Sequence, residues 1–304
     1  MSLTDTQSPA ALSEAGEATY PFHITKQEER TLRLQGAQAV PSLVVGQATS
    51  FDEYVRQLMI PAAVMDLTRK AEELRLSAWE IEALRHQLAP AEHGGKMGLL
   101  RRILHEKKKH DHSHPPYIRV ACTGVGDYDH LAAKHGHLHP DEHPKGNVGS
   151  PVVLEIWPAQ HYSPIHSHGQ TTGIVFCLAG QLDVMVYERL DGNATKLGLL
   201  TLTPGQCAWL SKDNYAVHRV YCPMDGGDGT TGPGYMNSTA EFGASFHVYL
   251  NPDETAVQFD DHESHSRDSF DYIDEVTKKH RAFATHSDLS WSILRRVLAN
   301  TPLT

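Results

Sequence analysis

Short apolar-rich runs punctuated by turn residues fill the middle of the chain. The stretches 117–123, 151–157, 173–178, 181–187, 196–202, 207–210, 218–221 and 245–250 are rich in Val, Ile, Leu and aromatic residues and read as strands. Turn residues separate them, including Ala179-Gly180, Asp191-Gly192-Asn193 and Pro204-Gly205. Many short strands with regular turns predict a mainly β protein, a β-barrel or sandwich of jelly-roll type. Upstream the period changes. Tyr54, Leu58, Val64, Leu67, Leu74, Trp79 and Leu84 recur at roughly helical spacing over 50–88, interrupted at Pro61, and Ser50-Phe51-Asp52-Glu53 resembles a capping start. A second helix is expected over 96–108, with a basic end that suits a helix C-terminus. Downstream, 270–280 and 289–298 read as short amphipathic helices. The polar, His-rich stretch 127–149 reads as a loop or insertion, and the Gly-rich stretch 224–234 as an excursion between two strands. The expected organisation is a flexible leader or N-terminal extension over 1–49, a barrel domain with N-terminal helices over 50–252, and a helical C-terminal extension over 253–304.

Composition narrows the function classes. The chain has 304 residues, of which 40% are hydrophobic and 21% charged, the profile of a soluble globular protein. A formal net charge of −10 argues against nucleic acid or an anionic membrane as partner. No apolar run approaches membrane-spanning length. Residues 1–19 lack the basic start and apolar core of a signal peptide. The four cysteines, Cys122, Cys177, Cys207 and Cys222, form no Cys-x-x-Cys pair and read as reduced thiols of a cytoplasmic protein. Cys177 is expected in the core, pointing away from the chemistry.

Histidine is abundant, with 21 residues. Two clusters, His105 to His114 and His130 to His143, read as solvated; a second metal at His137, His139 and His143, with Asp141 or Glu142, is the alternative. The pair His166-Ser167-His168 carries more. On a strand, residues i and i+2 share one face, so two imidazoles can grip one ion. His218, on a later predicted strand, supplies a third ligand. By itself this trio is compatible with zinc, manganese, nickel or no metal at all.

The flanks add specificity. Trp157-Pro-Ala-Gln-His-Tyr-Ser-Pro-Ile-His166-Ser-His168 is followed by Gly173 and Gly180. Gln206-Cys-Ala precedes His218-Arg219-Val220, and Ser245-Phe-His247-Val-Tyr249 comes later. These three ordered segments resemble the cysteine dioxygenase family, the thiol dioxygenases of the cupin superfamily, over about residues 80–252. The resemblance implies a cupin jelly-roll barrel that holds Fe(II) on His166, His168 and His218 and oxidises a small thiol with O2 to its sulfinic acid. It further implies that Arg119, in Tyr117-Ile-Arg119, binds the substrate carboxylate with Tyr117 beside it, since a guanidinium fork suits bidentate carboxylate binding. Ser245, His247 and Tyr249 share a strand face and would form a hydrogen-bonded relay that orients the phenol near the metal. Gly169-Gln-Thr-Thr-Gly173 offers no carboxylate ligand, and Gly173 stands where animal members carry a cysteine that crosslinks to the tyrosine. L-Cysteine is the expected substrate. The alternatives are 3-mercaptopropionate or another mercapto acid, and, from a different class, a non-catalytic metal-binding cupin that acts as a sensor or binding module.

Overall fold

The apolar-rich runs become strands in a computed structural model that describes residues 24–39, 44–45, 76–91, 96–110, 116–121, 125–134, 152–169, 172–210, 217–224, 240–250, 269–284 and 287–302. A seven-stranded sheet carries β1 (Val44–Val45), β2 (Ile118–Ala121), β3 (Val152–Pro158), β5 (Thr172–Ala179), β8 (Cys207–Leu210), β10 (Phe242–Leu250) and β13 (Leu289–Ser290). Its order is β1-β8-β5-β10-β3-β2-β13. A six-stranded sheet carries β4 (His166–Ser167), β6 (Leu182–Tyr187), β7 (Lys196–Leu202), β9 (Val217–Tyr221), β11 (Ser269–Ile273) and β12 (His280–Ala284). Its order is β12-β11-β4-β9-β6-β7. Pairing is antiparallel except between β13 and β2. Two antiparallel sheets with few helices make this a mainly β fold of jelly-roll type.

Strand parity decides what each face does. Ile118, Val120, Leu154, Ile156 and Ala244 pack with α2 (Ala78–Leu88), α3 (Leu99–His110) and α5 (Trp291–Ala299) in one apolar cluster on the outer face of the large sheet. The intervening Arg119, Glu155 and Trp157 therefore point the other way, into the space between the sheets, where they line a cavity. Helix α2 begins at a capping box: Ser77 N donates to Glu80 Oε2 at 2.8 Å, and Glu80 N donates to Ser77 Oγ at 3.3 Å. The β5–β6 turn needs its glycine. Gly180 has φ 65°, and a Cβ there would run into the Phe242 carbonyl oxygen.

The structure departs from the sequence pattern at three places. First, 270–280 is not a helix but the hairpin β11–β12. Asp274 accepts from the backbone N–H groups of Val276 at 3.1 Å and Thr277 at 2.7 Å, and Lys278 follows at φ 56°. That local side-chain bonding offers the backbone a turn in place of a helix. The C-terminal extension is accordingly a hairpin, then β13 and α5, rather than wholly helical. Second, the stretch read as loop from residue 127 begins with helix α4 (Asp129–Lys134). Asp129 accepts from Gly126 N and from Ser290 N, both at 2.9 Å. Third, within the stretch read as leader, α1 (Lys26–Ala39) lies along β7, with Leu32 buried and Arg33 Nη2 3.0 Å from Asp183 Oδ2. The expected capping start at Ser50, the Pro61 interruption, His112 and His114, the cluster His137 to His143 and the excursion after Met224 lie outside the described residues. Among those described, no helix is long and apolar enough to cross a membrane.

The C-terminal extension also grips β2. Asp288 is 1% exposed, and its Oδ2 accepts from Arg119 N at 2.7 Å and Lys107 Nζ at 2.8 Å. Asp288 N donates to Arg119 O at 2.7 Å. Asp288→Ala is expected to lower stability by about 1.5–3 kcal/mol, the range for hydrogen bonds that involve a charged group. It should leave metal stoichiometry intact. Urea unfolding and metal analysis check this, and an unchanged midpoint would refute it.

Candidate metal centre

His166 and His218 face each other across the β4–β9 ladder, and His168 follows two residues after His166. One nitrogen from each ring comes to within 4.8 Å of the others. Ring centroids are 4.3 Å apart for His166–His218, 5.0 Å for His166–His168 and 5.7 Å for His168–His218. His166 and His218 are buried and His168 half-buried. Gly169 follows at φ 63°. His166 Nδ1 lies 2.9 Å from the Pro164 carbonyl oxygen. A carbonyl can only accept, so Nδ1 carries the proton and Nε2 keeps its lone pair for a ligand. Burial, then the neighbouring His218 and His168, hold the His166 imidazole well below its usual range, so it is neutral at pH 7. Three converging imidazoles, at least one fixed in its metal-binding tautomer, fit a transition metal. Among the described residues this is the group of three that can do so.

The relay assembles as the parity of β10 requires. Ser245 Oγ lies 2.7 Å from His247 Nε2, and His247 Nδ1 lies 3.3 Å from the Tyr249 hydroxyl. Trp157 Nε1 donates to Ser245 Oγ at 3.0 Å. Glu155 joins the relay: its Oε2 lies 3.1 Å from His247 Nε2 and its Oε1 3.5 Å from Arg119 Nε. An ionised carboxylate can only accept, so beside one His247 Nε2 carries a proton, and in the neutral imidazole Nδ1 is then the nitrogen that accepts from Tyr249. The Tyr249 ring sits 4.9 Å from His168, and the Arg119 guanidinium lies 5.8 Å from the Tyr249 ring centroid. Tyr117 stacks on Trp157 at 4.0 Å. Thus Arg119, Tyr117, His247, Tyr249 and the three histidines line one cavity, with Glu155 and Trp157. Ser245 supports it from behind through His247 and Trp157.

Register also places the neighbours. Tyr249 pairs with Gly173, His247 with Val175 and Ser245 with Cys177. Cys177 therefore shares the relay's face rather than pointing elsewhere, because four residues along a strand return to the same side. It lies beyond the cavity, and burial pushes its thiol up to about 12, as it does for Cys222.

Sequence reasoning missed Glu155 and Phe270. A lone glutamate inside Val152-Val-Leu-Glu-Ile-Trp157 is itself a signal, since a charge in a buried strand needs a partner. Phe270, on β11, packs 5.0 Å from the His166 ring and 5.5 Å from the His168 ring. The alternation Phe270-Asp-Tyr272 was the available sign of a strand.

No protein-family model matches the sequence, and no curated protein matches it. Among solved structures, the chain is similar to an oxalate oxidase in complex with the substrate analogue glycolate, at 13% identity and a TM-score of 0.24 over 33% of this chain and 41% of that one. It is also similar to a ribosomal oxygenase from Escherichia coli, at 13% identity and a TM-score of 0.25 over 36% and 25%. A third is the Bacillus subtilis oxalate decarboxylase at pH 4.6, at 13% identity and a TM-score of 0.23 over 33% and 21%. The chain thus spans less than half the length of each of these, and likeness at this level says nothing of what it acts on.

Proposed function

We propose that the protein is an Fe(II)-dependent thiol dioxygenase of the cupin superfamily that oxidises a small carboxylated thiol, L-cysteine first, with O2 to the sulfinic acid. The observation that carries this reading is the convergence of three histidines, the Ser245–His247–Tyr249 relay and Arg119 on one cavity between the sheets. Iron held by His166, His168 and His218 would supply a Lewis-acidic, redox-active centre for thiolate and oxygen. The rest falls to the chain's own groups. Arg119 presents its guanidinium to the substrate carboxylate and fixes the thiol's position, which is catalysis by orientation. Tyr249 donates to His247 Nδ1, so its oxygen is held in place with a lone pair free to accept a hydrogen bond from substrate. Glu155 keeps His247 in the tautomer that this requires. Val175, Val220 and Phe270 give the cavity an apolar side that limits water. Both oxygen atoms end on sulfur, the thiol supplies the electrons, and no other reductant is needed.

Iron-loaded protein is expected to consume one O2 for each sulfinate formed from L-cysteine, read with an oxygen electrode and by mass spectrometry. Arg119→Ala should raise KM for L-cysteine by at least about 30-fold, the lower end for unpairing a buried charged contact. No O2 uptake with L-cysteine, 3-mercaptopropionate or other small thiols would overturn the enzymatic reading and favour a binding module. An unchanged KM would remove Arg119 from the carboxylate.

A further inference from the structure

The cavity wall facing two of the three histidines comes from the C-terminal extension. Phe270 is 8% exposed, lies against the His166 and His168 rings, and lines the cavity that Arg119 also lines. Its strand is pinned at several points. Tyr272 pairs with His166 and Asp271 with Ser167, and Ile273 N donates to Ile165 O at 2.9 Å. Just beyond, Glu275 is ion-paired with buried Arg219, the residue after His218, and accepts from the Tyr162 hydroxyl at 3.1 Å. The Arg219 guanidinium sits 4.9 Å from the Tyr162 ring centroid. A phenyl ring held this firmly beside the ligand imidazoles is a fixed boundary rather than a loose cover.

We infer that Phe270 is a specificity-determining residue that restricts the site to thiols unbranched at the carbon bearing sulfur. The inference rests on the thiol reading above. With the carboxylate drawn to Arg119 and sulfur to the metal group, the short chain between them is held at both ends, and the carbon bearing sulfur lies next to the histidine trio. Substituents on that carbon then meet the phenyl ring, whose strand is pinned by the β11–β4 ladder and whose face is packed against His166, His168 and Tyr272. Apolar pockets discriminate by size in this way, and a single methylene there is worth roughly 10- to 200-fold.

The test uses the full chain loaded with Co(II), reading thiolate binding from sulfur-to-cobalt charge-transfer absorption, so that turnover is not needed. The probes are L-cysteine and penicillamine, which adds two methyl groups at the sulfur-bearing carbon. The wild-type protein is expected to bind cysteine at least about tenfold more tightly than penicillamine, and Phe270→Ala to bring the two within about threefold. Phe270→Leu, which keeps an apolar side chain in the strand and guards against misfolding of the alanine variant, should fall between. If the cobalt-loaded variants keep the wild-type ratio, or if wild type binds both equally, the role of Phe270 is overturned while the thiol reading stands. If wild type shows no thiolate band with either probe, the thiol reading falls and this inference falls with it.

Discussion

His166→Ala is expected to abolish stoichiometric metal binding and, with it, all turnover. The residue is the hub of the trio, since its ring approaches both His168 and His218. Loss of a mere outer partner of a metal-bound histidine costs about 10- to 100-fold in affinity, so loss of a ligand itself should exceed about 100-fold. Metal analysis after gel filtration and competition with a chelator measure this directly. His130→Ala is the control, because His130 is exposed and its ring contacts only local groups among those described here. The fold should survive the His166 change, since β4 is held on both sides through its backbone ladders. Wild-type metal content in His166→Ala would sink the ligand set.

The second large effect is on stability. Glu155→Ala is expected to destabilise the protein by about 3–5 kcal/mol, because it leaves the Arg119 guanidinium buried beside no carboxylate at that position. Glu155 is 2% and Arg119 5% exposed, so bulk solvent screens their interaction little. The urea midpoint should fall with little change in slope. A double variant, Arg119→Met with Glu155→Leu, should recover part of that loss, since it removes both buried charges together. It would still lose the carboxylate-binding group. A midpoint shift worth less than roughly 1 kcal/mol in Glu155→Ala, within the range of exposed pairs, would show that the network carries little. The same substitution also removes the carboxylate that His247 Nε2 faces, so it changes the buried charge and the relay together.

What could be read from sequence follows from which interactions are local. β5 through β10 were legible because they are short apolar runs, and turn signals such as Ala179-Gly180, Asp191-Gly192-Asn193 and Pro204-Gly205 separate several of them. The His166–His168 pair and the Ser245–His247–Tyr249 set were legible because each places residues two apart, whereas His218 lies on a different strand, β9. Glu155 was not, because its partners, Arg119 and His247, lie on two other strands that only the sheet order brings beside it. The hairpin at β11–β12 was misread because Phe270, Ile273 and Val276 imitate a helical period over one short stretch. What decides against the helix is the Asp274 turn and the pairing with β4, and the second of these depends on residues a hundred positions upstream. Asp288 was invisible for the same reason.

The sheet order has a consequence for how the site comes into being during synthesis. β4, which carries His166, lies between β9 and β11, and β2, which carries Arg119, lies between β3 and β13. Until residues 269–290 have left the ribosome, both strands are open edges. A nascent chain that already contains all three histidines and the arginine therefore lacks the two strands that fix their positions. Assembly of the centre is tied to the late-emerging part of the chain, so a stalled or prematurely ended product would present exposed edges prone to wrong pairing rather than a half-built site.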